Sequence, residues 1–221
     1  MSYYECVRHL FGPLVVLLVF PLLGFARGAL PPQKMGAWDY SDRAKQEYRS
    51  GDQDAAIADF RQAIKMSPNT ALFHNDLGIT LFSLRRLKEA QAEIREAIRL
   101  DPKSGESYSN LCLVDIELND FFLAKSNARI AVKLKPADTH AWNNLGVANL
   151  KLKKYQEAAD ALNRAVSLQP HNFLAHNNRG AALYRLGKKS EAIKEWKFVL
   201  KNVGGHQHDQ AQDYLDHPEH S

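Results

Sequence analysis

The side chains best suited to chemistry gather at the C-terminal end. Residues 205–221 hold His206, His208, His217 and His220 among Asp209, Asp213, Asp216 and Glu219, with no Lys or Arg. Imidazole and carboxylate groups are ligands for Zn, Ni or Cu. A tail without fixed geometry gives them no coordination frame, so the four histidines are weak metal candidates and the plainer reading is a solubilising acidic end. Cys112 falls at a position otherwise occupied by small residues, which reads as a buried thiol and not a nucleophile. Gly180 to Ser190 (GAALYRLGKKS) resembles a phosphate-binding loop only loosely, because six residues separate its glycines where four are required. No HExxH, CxxC or Gly-x-Ser-x-Gly occurs. These residues assemble no catalytic site, so neither an enzyme nor a resident cofactor is expected.

The rest of the chain has to be read for what it positions. Of 221 residues, 45% are apolar and 24% charged, enough to bury a core. Lys plus Arg exceed Asp plus Glu by 29 to 25. That excess is too small, and too free of interleaved aromatics, to imply a nucleic-acid partner. Leu10 to Ala26 (LFGPLVVLLVFPLLGFA) carries no charge, with Arg8 before it and Arg27 after it. Gly24-Phe25-Ala26 supplies the small-x-small exit of a secretory signal, so residues 1–26 are expected to be a signal peptide. The alternative is an uncleaved anchor that holds the chain to the membrane through this segment. Its 17 uncharged residues are at the short end for a span, and Pro13 and Pro21 oppose a straight helix. Both readings export the remainder, to a periplasmic or secreted location or to the outer side of an inner membrane. Cleavage would remove Cys6 and leave Cys112 as a lone thiol. Residues 27–36 form a Pro-bearing linker.

A period of 34 runs through residues 37–204. Pro68, Pro102, Pro136 and Pro170 mark it, as do Ala56, Ala90, Ala124, Ala158 and Ala192. Ala63, Ala97, Ala131 and Ala165 repeat it, and so do Leu77, Leu111 and Leu145. Gly78, Gly146 and Gly180 share one position with Ala44 and Cys112. Five units follow: 37–70, 71–104, 105–138, 139–172 and 173–204. Each splits into two amphipathic helices, as Trp142, Leu145, Gly146 and Asn149 then Tyr155, Ala158, Leu162 and Ala165 show in the fourth. Each Pro closes a second helix, since it lacks an N–H and disfavours helix before it. Small residues mark where two helices cross closely.

The pattern resembles the tetratricopeptide repeat family. An aromatic-like position (Tyr40, His74, Tyr108, Trp142, His176) precedes Leu-Gly, then the Ala, Ala and Pro positions. Arg43 and Arg179 stand where Leu is expected, and the fifth unit ends at Gly204 without Pro. The resemblance implies an all-α fold: an α-solenoid of helix-turn-helix tetratricopeptide repeats forming a right-handed superhelix, preceded by the signal segment. Stacking buries apolar faces that no unit can bury alone.

The resemblance also implies that the fifth and sixth residues of each first helix point into a concave groove. These pairs read Ser41-Asp42, Asn75-Asp76, Ser109-Asn110, Asn143-Asn144 and Asn177-Asn178. A primary amide can satisfy both the C=O and the N–H of an extended peptide without reading its side chains. The alternative is that these residues are polar surface or bridge neighbouring helices. Tyr48 and Tyr184, at the twelfth position, would add apolar grip or else belong to the core. Lys45, Arg49, Lys151 and Arg185 would favour an acidic ligand. The expected activity is that of an exported interaction scaffold binding extended peptide, with a self-assembling homo-oligomer as the rival. On the groove reading, Asn144→Ala with Asn178→Ala would weaken ligand binding without loss of helix.

Overall fold

The computed structural model describes residues 35–220, so the expected signal or anchor at 1–26 and the linker as far as Lys34 lie outside the described residues. Ten helices form five pairs: α1 (Ala37–Ser50) with α2 (Gln53–Met66), α3 (Ala71–Ser83) with α4 (Leu87–Leu100), α5 (Gly105–Glu117) with α6 (Phe121–Leu134), α7 (Thr139–Lys151) with α8 (Tyr155–Leu168), and α9 (Phe173–Arg185) with α10 (Lys189–Asn202). First helices therefore begin at 37, 71, 105, 139 and 173, each 34 residues after the last. Successive pairs stack into an α-solenoid, and among the described residues every regular element is helical. No helix among them is long and apolar enough to cross a membrane.

Local chemistry sets the helix ends. Ser67, Asp101, Lys135 and Gln169 cap the second helices in extended-like conformations, each held there by the Pro that follows. Asp52, Ser104, Asp138 and Asn172 then accept backbone N–H groups at the starts of α2, α5, α7 and α9. The turn inside every unit needs one left-handed residue. Gly51 and Gly187 provide it in the outer units at φ of 90° and 80°, and Arg85, Asn119 and Lys153 provide it in the middle three at 59–63°.

Within each pair, small meets large. A Cβ on Gly78 would overlap Ile94, one on Gly146 would overlap Leu162, and one on Gly180 would overlap the Trp196 indole. All three large partners are wholly buried. Ala44 and Phe60 share one core cluster, Cys112 and Ala128 another. Where the first helix carries the bulkier Cys, the second thus carries only Ala.

The aromatic-like position has a polar task. His74 and His176 approach the Pro68 and Pro170 carbonyls through Nε2 at 3.0 and 2.9 Å, and Trp142 Nε1–H donates to the Pro136 carbonyl at 2.8 Å. Each bond ties a first helix to the loop that closes the preceding unit. The Nδ1 atoms of the two histidines lie 2.7 and 2.6 Å from Glu93 and Glu195. The two departures from Leu are also matched: Arg43 forms a two-point ion pair with Asp59, and Arg179 lies 2.6 Å from Glu195. In both terminal units a charge pair between the two helices replaces the expected apolar contact.

The acidic end has a structure that its composition did not lead us to expect. Residues 206–216 form α11 (His206–Asp216), followed by a 3₁₀ turn at Pro218–His220. α11 packs on α9 and α10. Ala211 is wholly buried, and Tyr214 and Leu215 pack against the cluster of Leu183, Trp196 and Val199, with the Trp196 and Tyr214 rings 5.4 Å apart. The physical reason is the open end of the solenoid: the fifth unit presents an apolar face, and Ala211, Tyr214 and Leu215 make a matching stripe at i, i+3 and i+4.

Two tests follow from this packing. Gly180→Ala puts a methyl into a buried indole that has no room to move, so it should cost about 1–3 kcal/mol in urea denaturation, as overpacking does. The His74 tether is pH-dependent. The hydrogen bond with Glu93 leads in raising the imidazole above its ordinary value of about 6.5, against burial and with help from the Pro68 carbonyl, Glu93 and Glu96 charges. A raised folded value means this stabilisation is fully present below about 6.5 and fades as pH rises through the folded value. Melting curves of wild type and His74→Gln should therefore differ most at acidic pH and converge as pH rises. A pH-independent gap would mean that the tether does not involve the charged ring.

Candidate functional site

The first helices line the inner side of the solenoid, and three depressions lie along them. The first, about 330 Å³, is formed by Lys45, Tyr48, Arg49, Phe60, Asn75, Asp76, Ile79, Thr80, Glu106 and Asn110. It gathers six of the residues expected in the groove. The second, about 470 Å³, has Asn110, Asn143 and Asn144 beside Ser109, Leu113, Leu174, Lys135 and His140, with Glu106 and Asp138. The third, about 610 Å³, has Asn178 and Arg185 with Val147, Leu150, Lys151, Lys153, Tyr155, Ala181, Gln210 and Tyr214. Its lining contains three cations and no carboxylate.

The asparagines do more than line these depressions. Asn110 Nδ2–H donates to Asn75 Oδ1 at 3.0 Å, Asn144 Nδ2–H to Ser109 Oγ at 3.0 Å, and Asn178 Nδ2–H to Asn143 Oδ1 at 2.9 Å. In each junction the sixth residue of one first helix donates to the fifth residue of the helix before it. The amides thus form a ladder between repeats. The bridging alternative accounts for one donor of Asn110 and of Asn178, each of which retains a second N–H and its carbonyl oxygen, whereas Asn144 Nδ2 also donates to the Ser109 carbonyl at 3.3 Å and keeps only its own carbonyl oxygen. The last rung differs, because no sixth-position amide follows the fifth unit. There the wholly buried Asn177 donates to the Gln207 carbonyl of α11 at 2.8 Å and to Gln210 Oε1 at 3.2 Å. The first rung differs too. Asp76 has no proton to donate, and Lys45 of α1 meets its carboxylate at 3.2 Å. Burial pushes the Asp76 carboxyl up and the Lys45 ammonium opposes that shift.

The remaining expected residues divide. Tyr48 both lines the first depression and packs on the core beneath it. Tyr184 belongs to the core, 6.1 Å from the Trp196 ring and with the Lys189 ammonium 5.5 Å over its own ring. Arg185 is exposed and donates to the Glu219 carbonyl at 2.9 Å. The tail histidines stand on a helix and a 3₁₀ turn: His206 and His208 open α11, His217 caps it and His220 ends the turn. His208 and His217 lie near Asp209 and Glu219, at 3.5 and 3.6 Å. Among the described residues no three His, Cys, Asp or Glu side chains converge as a metal site. Cys112 is wholly buried, and burial pushes its thiol up to about 12. Gln210 and Tyr214 also line the third depression and were not among the residues expected there. Their signal was the apolar stripe of α11, obscured by its surrounding His and Asp residues.

The ladder changes what an asparagine substitution should do. Asn144→Ala with Asn178→Ala removes two donors and leaves the buried Asn143 carbonyl without one, at a cost of about 1–3 kcal/mol for each unsatisfied group. Urea denaturation should show that loss, whatever the variant does to ligand binding. An unchanged midpoint would show the rungs to be energetically idle.

Known proteins share the fold. Two tetratricopeptide repeat family models match, one over residues 140–172 and the other over 41–105 and 158–196, together more than half of the chain. No curated protein sequence matches. Among solved structures, Pseudomonas aeruginosa PilF superposes with a TM-score of 0.70 at 18% identity, over 82% of this chain and 92% of that one. MamA from Desulfovibrio magneticus RS-1 gives 0.68 at 21% identity, over 75% and 93%. YrrB, a tetratricopeptide repeat protein with an unusual peptide-binding site, gives 0.65 at 19% identity, over 81% and 92%. At these identities the likeness is one of fold. With five helix pairs at a 34-residue period, their small-to-large crossings and the family match over more than half its length, the chain belongs to the tetratricopeptide repeat family.

Proposed function

We propose that the protein is a non-catalytic scaffold that holds an extended peptide along the inner side of the solenoid. The observation that carries this reading is the row of three depressions along the first helices, each containing a sixth-position amide. Neighbouring first helices are spaced by roughly 8–10 Å and an extended chain advances about 3.3 Å per residue. One amide per repeat therefore meets about every third peptide residue. The groups left over from the ladder for the peptide backbone are one N–H each of Asn110 and Asn178 and the carbonyl oxygens of all three amides. YrrB, a protein of this fold with a peptide-binding site, supports a peptide as the class of ligand.

Side-chain preference comes from the third depression. Lys151 and Lys153 line it, Arg185 at its edge is held by the Glu219 carbonyl, and Val147, Leu150, Tyr155 and Tyr214 supply apolar walls. An acidic residue flanked by apolar ones fits that lining. The first and second depressions mix charges, with Lys45 and Arg49 beside Asp76 and Glu106 in one, and Lys135 and His140 beside Glu106 and Asp138 in the other. They select less strongly.

The place of action belongs to the same proposal. The uncharged run from Leu10 to Ala26 with its small-x-small exit supports export, and the single thiol beyond it tolerates an oxidising compartment.

Panning a random peptide library on the full chain tests the groove. Wild type should enrich acidic, apolar-flanked sequences. Lys151→Glu with Lys153→Glu should weaken a chosen peptide roughly ten-fold at low salt. Circular dichroism checks that the helices persist. Failure to enrich any sequence, or equal affinity after the charge reversal, would count against the proposal.

A further inference from the structure

The second helix of the third repeat is built differently from its counterparts. Ala124, Ala128 and Ala131 are its buried residues, all wholly enclosed. The residues that correspond to Ala128 in the other repeats are Phe60, Ile94, Leu162 and Trp196, each a large buried side chain. Yet α6 is rich in large apolar residues. Four of them face solvent: Phe122 is 79% exposed, Leu123 47%, Leu134 37% and Ile130 36%. The core has no need of them there, because alanine already fills its share opposite Cys112.

Phe122 and Ile130 belong to one strip along the helix, and Leu123 and Leu134 lie outside it. Phe122, Ser126, Arg129, Ile130 and Lys133 succeed one another at i, i+4, i+7, i+8 and i+11 and line a shallow depression of about 570 Å³. α6 contains no acidic residue. Its three cations are Lys125, Arg129 and Lys133, and Lys125, at the edge of the strip, is engaged by Glu157 of α8. Arg129 and Lys133 remain exposed among the apolar side chains.

We propose that this face rests on an anionic lipid surface. A cationic helix face with Phe, Leu and Ile suits the boundary between headgroups and acyl chains, where apolar side chains enter and cations meet phosphate. Charge decides against a second copy of the same face, which would set Arg129 and Lys133 against like charges. Shape decides against a partner helix, since α6 supplies every residue of the depression and there is no second wall to hold one. The uncharged run Leu10 to Ala26 in the same chain is itself a membrane-directed segment by composition.

A local probe separates this face from the N-terminal run. In the full chain with Cys6→Ser, Ser126→Cys is labelled with an environment-sensitive nitrobenzoxadiazole dye, while the buried Cys112 thiol stays unreactive. The emission should shift to the blue with phosphatidylcholine–phosphatidylglycerol vesicles and not with phosphatidylcholine alone. Arg129→Glu with Lys133→Glu should weaken that response roughly thirty-fold or more, since each cation near an anionic surface contributes to binding and reversal repels. Both residues are exposed, so folding should be unaffected. An unshifted dye on a chain that floats with anionic vesicles would overturn the proposal and leave attachment to the N-terminal segment. An equal shift with neutral lipid would remove the electrostatic part and overturn it as stated. A shift without lipid that grows with protein concentration would assign the face to self-association instead.

Discussion

Each repeat depends on one close crossing between its two helices. In three of the five, a glycine lets the first helix lie directly on a large buried side chain of the second, at Gly78–Ile94, Gly146–Leu162 and Gly180–Trp196. The volumes are complementary across the family of pairs: Ala44 accompanies Phe60, and Cys112 accompanies Ala128. Close packing leaves no slack for both partners to be large. This constraint sets the spacing of the helices, and through it the distance between repeats and the shape of the inner side. It also has a consequence far from the core. Because Ala128 needs so little room, the large apolar residues of α6 are free to face outward.

Stacking repeats then buries polar groups that must be satisfied. The fifth and sixth positions of the first helices solve this by bonding to one another, so that Asn110, Asn144 and Asn178 each donate across a junction. Another polar joint lies deeper, where the wholly buried Asp115 accepts from Gln91 and Asn127 at 2.7 Å each, linking the second repeat to the third. Burial pushes the Asp115 carboxyl up, and the two amides oppose that shift. The ends of the array follow the same logic with different parts. Arg43–Asp59 and Arg179–Glu195 occupy the terminal units, and α11 completes both the apolar face and the last rung of the ladder. The inner side is thus a surface whose polar groups hold the repeats in register, and on the function proposed above the groups left over would also meet a ligand. The amide donors left over, on Asn110 and Asn178, are few, and on that proposal they serve an extended backbone.

Much of this architecture was legible before any coordinates. A period of 34, prolines after every second helix but the last, and small residues at one recurring position follow from the requirement that identical packing recur, and each repeat solves it with similar residues. The departures at Arg43 and Arg179 were visible as breaks in the pattern, but their acids, Asp59 and Glu195 sixteen positions on, are brought to them only by the packing of the two helices of a unit. Less was legible at the candidate site. Asn178 has the same position in the period whether its amide meets a ligand or Asn143, and only the separation of neighbouring helices decides between them.

The sequence by itself determined the helix pairs, their boundaries and their order, because those depend on local periodicity, on proline and on the capping residues nearby. The tertiary structure alone decided where the polar groups and the leftover apolar groups go. Tyr48 reaches a depression while Tyr184, at the same place in its repeat, is held against Trp196. Residues 206–216 become a capping helix because the fifth repeat leaves an apolar face that Ala211, Tyr214 and Leu215 can cover. Such outcomes rest on what stands next to a residue in space, and a residue's neighbour across a repeat junction is some 35 positions away along the chain, as Asn75 is from Asn110.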